Sequence, residues 1–397
     1  MDFKELLAKI GIEDYPEFLE AAYNDKSCRS STVCDVDFIK KYEEEYGAFG
    51  EHIDDVIAAA EDLRKNEALL EYAKTAGAYL LLHAKDGAST AIPFPKEDGT
   101  PALNMIRLLV LLPLIPHCIA EYEAHGFEKA EIAKYLRVFK TSLEISKVRS
   151  GYPCFMNAYY AWMLHYLHCT IFDFGSFNFQ FIRYRGAAMM LRNKLDGSYK
   201  LIMTEGRFHK SGRILGSDGC LDEDGAFDAD FYEDDECYVG ITTNRSRAVN
   251  ERVTFKKSEW ECVLRAGDEA IGLHIPKKAD LSHDAIISSY KGGWERAKRV
   301  FPEYNPKFIV CGSWLLDEQI GDMAGENSKL ADFANTFLRY PIKSKGRNGF
   351  SNVFPGHRGP ESELPENTTL QRKIKATYLA GGHTWGAGGI VPMTFED

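Results

Sequence analysis

A histidine lies at the end of one predicted strand, where it is suited to acid–base chemistry. His274 belongs to the apolar run Ala270–Ile275, which Pro276 follows. An imidazole has an ordinary pKa near neutral pH, so His274 is a candidate general base. A structural histidine whose hydrogen bonds are satisfied within the fold is the alternative interpretation.

Two lysines separate this strand from a predicted helix. Lys277 and Lys278 lead to Ser282, a candidate N-cap for a helix that runs to about Val300. The free N–H groups at a helix N-terminus favour anions, and two lysines strengthen that field. The segment therefore fits a pyrophosphate, with an ordinary capped helix and surface lysines as the alternative.

The next predicted strand supplies a hydroxyl, an indole and a thiol. It closes with the sequence Cys-Gly-Ser-Trp-Leu-Leu-Asp at 311–317. Ser313 and Trp314 are candidates to line a pocket where two adjacent strands separate. Cys311 is a candidate nucleophile, but no nearby residue marks it as activated, so a buried thiol is the alternative. Motifs of dinucleotide-binding folds, P-loops, zinc proteases and serine hydrolases are missing from the sequence.

Acidic residues are concentrated in one segment. The 397 residues include 48 Lys and Arg and 59 Asp and Glu, a formal net charge of −11, and nine of the acids lie in 222–236. Because a duplex nucleic-acid binder normally has a basic surplus, we expect no nucleic-acid partner. We interpret 222–236 as a solvated surface loop, or as an attractor for a cationic substrate.

Cysteine spacing and hydropathy indicate the cellular compartment of the protein and its relation to membranes. Nine cysteines are scattered without a CxxC pair, so we expect reduced thiols, no metal site and a cytoplasmic protein. The N-terminus lacks the apolar core of a signal peptide. The most apolar stretch, Leu103–Ile119, contains Pro113 and Pro116. We expect it to form a kinked, buried helix too short to span a bilayer, with no membrane partner.

The periodicity of apolar residues changes near residue 170. Spacings of three and four before that point predict a helical domain over 1–170, and alternation after it predicts an α+β domain over 171–397. The predicted helices include Phe3–Ile10, Ile53–Leu82, Leu103–Ile115, Ile132–Leu143, Phe155–Leu167 and Leu370–Leu379. The predicted strands are Phe172–Phe181 with a possible bulge at Gly175, Tyr199–Thr204, Trp260–Leu264 turning into Ala270–Ile275, Phe308–Val310 with Trp314–Leu316, and a glycine-rich strand ending at Ile390. The passage from Ala270 to Val310 has the length of a parallel crossover unit.

Four stretches in a consistent order carry a family resemblance. They are Pro101–Leu112 with Tyr122 and Gly126, Trp162–Phe181, Gly267–Asp268 and His274–Pro276 with Cys311–Asp317, and Leu364–Arg372 with Ala380–Gly388. Together they resemble a two-domain bacterial acyltransferase family with a helical N-terminal domain and a GNAT-like C-terminal domain. The resemblance covers most of the chain.

The resemblance implies an acyl-CoA-dependent N-acyltransferase, which moves an acyl group from acetyl-CoA or another acyl-CoA to a small-molecule amine. In GNAT-like enzymes the sheet splays between its fourth and fifth strands, and the thioester enters that gap. Here the fourth strand would be Ala270–Ile275, with backbone N–H groups near Leu273 and Ile275 polarising the thioester carbonyl. The fifth strand would be Phe308–Leu316, with Ser313 and Trp314 facing the gap.

The same resemblance assigns the pyrophosphate to the loop Lys277–Ser282, which includes Lys278. This loop lacks the glycines of the usual GNAT phosphate motif, and no tyrosine follows the fifth strand until Tyr340. His274 and Glu205 are our candidates for the base that deprotonates the amine, and Ser313 is a further candidate catalytic residue.

Two other functions stay open at the level of sequence. A non-catalytic GNAT-like module that binds a ligand or a protein partner would explain the missing glycines and tyrosine. A cysteine-dependent hydrolase would use Cys311. The sequence leaves the acceptor, the acyl chain and the oligomeric state open, although a cationic amine would suit the acidic segment.

Overall fold

The computed structural model describes residues 2–25, 31–82 and 91–393. The chain forms two compact units, Met1–Ile171 and Phe172–Asp397. Helices build the first unit, whereas the second combines sheets with helices, so the α+β class is confirmed. The helices of the first unit are α1 (Phe3–Lys9), α2 (Glu17–Asn24), α3 (Val36–Tyr46), α4 (Ile53–Leu63), α5 (Glu67–Leu82), α6 (Pro101–Leu109), α7 (Ile115–Ala124), α8 (Lys129–Leu136), α9 (Val138–Ser150) and α10 (Asn157–Leu167).

Local signals in the sequence set the ends of several of these helices. Asp35 precedes α3, and its carboxylate accepts the backbone N–H groups of Asp37 and Phe38, which otherwise lack a partner within the helix. Gly47 ends the same helix in the left-handed region, with φ of 64°, which glycine adopts without steric cost. The helical prediction for this part of the chain is confirmed.

The most apolar stretch is longer than its sequence suggested. Within the described residues, Pro101–Ala124 is one helical run of 24 residues that is long and apolar enough to cross a membrane by length and composition. The expectation of a stretch too short to span a bilayer is therefore wrong. The expectation of a kinked, buried helix is confirmed, because a 3₁₀ turn at Leu112–Leu114 interrupts the run and 72% of its most apolar 18 residues are buried.

The second unit contains the strands. They are β1 (Ile171–Phe174), β2 (Phe177–Arg183), β3 (Ala188–Asn193), β4 (Tyr199–Met203), β5 (Arg207–Phe208), β6 (Phe227–Asp228), β7 (Tyr232–Glu233), β8 (Cys237–Asn244), β9 (Arg247–Lys256), β10 (Trp260–Leu264), β11 (Glu269–His274), β12 (Ile309–Ser313), β13 (Leu338–Pro341) and β14 (Ala387–Ile390). The helices between them are α11 (His283–Val300), α12 (Glu318–Ala324), α13 (Lys329–Asn335), α14 (Phe350–Val353) and α15 (Thr369–Leu379).

Two sheets form the frame of this unit. The first has the strand order β1-β2-β11-β12-β14-β13, and β11 and β12 run parallel. The second is antiparallel, with the order β10-β3-β4-β8-β7 and with β9 paired to β8. The helix α11 connects β11 to β12, which confirms the predicted parallel crossover.

The first sheet is covered on both faces. Apolar side chains from both sheets, such as Met190, Leu201, Ala270, Val310 and Ile390, share one core. On the opposite face α11 approaches closely, because a Cβ at Gly293 would stand only 2.4 Å from the ring of Phe179. The first sheet therefore lies between α11 and the second sheet.

Two details of the sequence prediction are wrong, and one correctly predicted turn joins strands of different sheets. The run Phe172–Phe181 forms two strands, because Gly175 adopts φ of 55° and makes a turn rather than a bulge. The strands β10 and β11 pair with different sheets, although a short turn joins them. Trp314–Leu316 is a 3₁₀ turn after β12, because the Ser313 hydroxyl accepts the backbone N–H of Leu315 and ends the strand.

Candidate functional site

The parallel strands β11 and β12 separate before they end. Their ladder consists of Ile271 opposite Ile309 and Gly272 opposite Val310 in the described part of the chain. On its other side, β11 stays paired with β2 as far as His274, and β12 stays paired with β14 as far as Ser313. The inner edges of both strands are therefore unpaired over their last residues. The sheet is splayed at this point, as the resemblance implied.

A cavity of about 520 Å³ occupies the splayed edge. This volume lies within the range typical of small-molecule sites, about 300–1,000 Å³. The lining residues are Leu273–Lys277, Ala279, Leu281, Cys311–Leu315, Leu330, Ile342, Asn348, Gly349 and Asn352. Six predicted site residues line it together, namely Leu273, His274, Ile275, Lys277, Ser313 and Trp314.

A glutamine on the neighbouring strand orients the candidate base. The Nε2 atom of His274 lies 2.7 Å from the side-chain oxygen of Gln180, which is buried on β2. An amide oxygen only accepts hydrogen bonds, so this contact places the imidazole proton on Nε2. The lone pair of the neutral ring then lies on Nδ1.

The polar side chains of the loop before α11 differ in whether they reach the cavity. Lys277 lines the cavity, whereas Lys278 and Ser282 are not among the lining residues. The hydroxyl and the backbone N–H of Ser282 both bond to the carboxylate of Asp280, each at 3.0 Å. Ser282 therefore occupies the N-cap position of α11 without a side-chain capping bond. Of the predicted anion-binding side chains, Lys277 is the one that reaches the cavity.

Buried ionic contacts fix the corner that follows β12. Asp317 is fully buried and accepts two hydrogen bonds from the guanidinium of Arg213, at 2.5 and 3.2 Å. That guanidinium also lies 3.9 Å above the ring of Trp385. Arg339 donates to the carbonyl oxygen of Leu316 at 3.2 Å. The turn that carries Trp314 is therefore held from both sides by buried arginines.

A glycine allows the loop after β13 to close against this turn. Gly349 has φ of 79°, and a Cβ there would lie 2.3 Å from the indole of Trp314. The neighbouring Asn348 is held by the Ser344 hydroxyl, which donates to its side-chain oxygen at 2.5 Å. The third wall of the cavity thus depends on a close approach that a larger residue would prevent.

Two other candidates do not contribute a reactive group. Glu205 is exposed in the turn after β4 and does not line the cavity, because that turn belongs to the second sheet. Cys311 lines the cavity, but burial raises the pKa of its thiol to about 12. A thiol with such a pKa is protonated near neutral pH, which argues against a cysteine nucleophile.

The acidic segment 222–236 is largely exposed to solvent, as predicted, and also carries short strands and ion pairs. It contains β6 and β7, and the carboxylates of Asp222 and Asp224 lie 3.4 and 3.5 Å from the ammonium of Lys210. The backbone N–H groups of Cys237 and Glu236 lower the pKa of Asp234 to about 2. Among the described residues, no three His, Cys, Asp or Glu side chains are grouped to hold a metal ion.

Sequence reasoning missed two residues of the site. Gln180 occupies a polar position in the phenylalanine-rich alternation of β2, and its burial beside His274 is visible only in the structure. Gly312 stands inside β12, where glycine weakens a strand and often marks the approach of a ligand.

The second unit matches a known family of protein domains. The model of the family described as the GNAT-like C-terminal domain matches residues 171–391, which is more than half of the chain. The chain belongs to this family. No curated protein matches the sequence.

Solved structures extend the similarity to the helical unit. The crystal structure of an acyltransferase mutant in complex with octanoyl-CoA is 16% identical, covers 99% of this chain and 100% of its own, and gives a TM-score of 0.65. An acyltransferase in complex with decanoyl-CoA and teicoplanin is 16% identical, covers 98% and 99%, and gives 0.64. The chain thus shares its fold with acyltransferases over nearly its whole length.

Proposed function

We propose that the protein is an acyl-CoA-dependent N-acyltransferase, which transfers the acyl group of a CoA thioester to an amine. The observation that carries this proposal is the splayed edge between β11 and β12, where a cavity meets unpaired backbone and an oriented histidine. The octanoyl-CoA and decanoyl-CoA held by the similar acyltransferases support the choice of donor.

The donor fits the residues that are present. The thioester would lie in the gap, where backbone N–H groups near Leu273 and Ile275 stabilise the oxyanion that forms on the carbonyl. One such preorganised donor is typically worth about 3–4 kcal/mol. Lys277 and the N-terminus of α11 would attract the phosphates.

His274 takes the proton in the reaction that we propose. The neutral amine attacks the thioester carbonyl, a C–N bond forms, and the imidazole of His274 accepts the amine proton directly or through water. The tetrahedral intermediate then expels CoA as a thiolate, which takes up a proton to become the free thiol. Gln180 holds the ring in the required tautomer throughout. The acidic segment would favour cationic amines over neutral acceptors.

A thermal-shift titration with free CoA, acetyl-CoA and octanoyl-CoA tests this function. A ligand that binds only the folded protein adds about 2.7 kcal/mol of apparent stability at a hundredfold excess over its Kd. We expect Lys277→Ala to weaken binding about tenfold, because it removes a charge-assisted contact to phosphate. The matched variant Lys278→Ala removes an exposed lysine outside the cavity and should change the Kd less than threefold, about 0.6 kcal/mol.

Two results would contradict the proposal. The absence of a shift with any of these ligands at millimolar concentration would favour the non-catalytic module. Equal losses in the two lysine variants would place the phosphates away from the cavity.

A further inference from the structure

Neither the backbone conformation nor the packing requires a glycine at position 312. It lies inside β12, and it is not among the glycines with positive φ. A Cβ built on it meets no atom within 4 Å. Its ladder partner Gly388 is different, because a Cβ there would lie 2.2 Å from the ring of Tyr340. Packing explains Gly388, whereas Gly312 borders open space.

The open space over Gly312 lies on the His274 side of the sheet. Residues that pair directly across a ladder share a face, and alternate residues of a strand return to that face. Gly272 pairs with Val310, so His274 and Gly312, each two residues further on, also share a face. The missing side chain therefore leaves room beside the candidate base, within the cavity lining.

The cavity lining includes polar residues such as Ser313, Asn348 and Asn352, but the side of this space that faces the core is apolar. Val310, two residues before Gly312 on the same face, is buried in the core shared by the two sheets. Ile342 packs against the same core and also lines the cavity. Leu281, Leu315 and Leu330 add further apolar lining, and Lys277 is the one lysine or arginine among the lining residues. A hydrocarbon chain suits this space better than a charged group.

We propose that the space over Gly312 receives the acyl chain of the donor, so that the preferred substrate carries a chain longer than acetyl. This inference rests on the acyl-CoA-dependent activity proposed above. Gly312 is then a specificity-determining residue, because a side chain at this position would occupy the volume that the chain needs. The acetyl group is too short to use that volume.

The affinities for acyl-CoAs of increasing length test this inference. Each methylene that leaves water tightens binding by about fourfold when it is fully buried. We therefore expect the wild-type protein to bind octanoyl-CoA at least about tenfold more tightly than acetyl-CoA, with hexanoyl-CoA between them. The measurement is isothermal titration calorimetry with free CoA, acetyl-CoA, hexanoyl-CoA and octanoyl-CoA.

Substitutions of Gly312 test whether this residue determines the preference for long acyl chains. Gly312→Leu should abolish the preference for octanoyl-CoA over free CoA, and Gly312→Ala should give an intermediate preference. Thermal unfolding of the unliganded variants is the control for folding. For Gly312→Ala a melting temperature close to that of wild type is expected, because the new Cβ meets no atom within 4 Å.

The outcomes separate this inference from the proposed function. Wild-type protein that binds acetyl-CoA as tightly as octanoyl-CoA would overturn the chain-length inference and leave the acyltransferase proposal standing. A full octanoyl preference retained by a folded Gly312→Leu variant would overturn the role of Gly312. If the wild type binds neither CoA nor any acyl-CoA, the proposed function fails and this inference fails with it.

Discussion

β11 and β12 border the cavity, and the turns that follow them, here called the β11 corner and the β12 corner, are held by different kinds of contact. The corner after β12 is held by the buried pair of Arg213 and Asp317 and by a hydrogen bond from Arg339. The corner after β11 depends on exposed contacts, such as the one between Lys329 and Asp280 at 3.2 Å. Buried charge thus fixes the position of the β12 corner. The ion pairs seen near the β11 corner in the described part of the chain are exposed to solvent, and this corner is the one that would meet the phosphates.

The largest expected effect comes from breaking the buried pair. Arg213→Ala leaves the carboxylate of Asp317 buried without its cation, which typically costs about 3–5 kcal/mol. Urea denaturation measures the loss in unfolding free energy. The matched control is Arg192→Ala, which removes an exposed arginine paired with exposed Glu261 and should cost about 1 kcal/mol or less. Equal losses in the two variants would mean that burial does not distinguish these ion pairs.

A smaller effect is expected from the packing within the same part of the sheet. Gly388→Ala forces a Cβ against the ring of Tyr340, and such overpacking typically costs about 1–3 kcal/mol. Gly312→Ala on the paired strand places its Cβ in open space and should leave the stability within about 0.5 kcal/mol of wild type or raise it slightly. Paired urea-denaturation curves measure the contrast. A reversed order would show that Tyr340 moves aside at little cost.

The smallest effect is expected at the β11 corner. Lys329→Ala removes the exposed contact to Asp280, which should cost about 1 kcal/mol or less. Salt should reduce the difference, because exposed charges are screened. Denaturation in low and high salt measures both effects. A loss as large as that of Arg213→Ala, independent of salt, would remove the distinction between the two corners.

The parts of the fold that were predictable from sequence have local causes. The crossover from β11 through α11 to β12 follows from two apolar runs on either side of one long amphipathic helix. The helices of the first unit follow from the same periodicity. The second sheet was mostly missed, because β9 is largely exposed and polar residues interrupt its alternation.

Only part of the candidate site was predictable from sequence, because some of its contacts join residues that are far apart in the chain. His274, Lys277, Ser313 and Trp314 come from segments next to one crossover, and the family resemblance brought them together. The hydrogen bond between Gln180 and His274 joins residues 94 positions apart, and the pair of Arg213 and Asp317 spans 104. Such contacts depend on which strands become neighbours, and the period of a single segment carries no information about that.

The position of β14 has a consequence for how the protein is made. This strand lies between β12 and β13, although it comes after both in the chain. During synthesis, earlier segments leave the ribosome and begin to fold first, so the place between β12 and β13 must stay available until residues 387–390 emerge. A product that terminates before Ala387 would leave the open edge of β12 exposed to association with other chains. The competent cavity edge is therefore completed only late in translation.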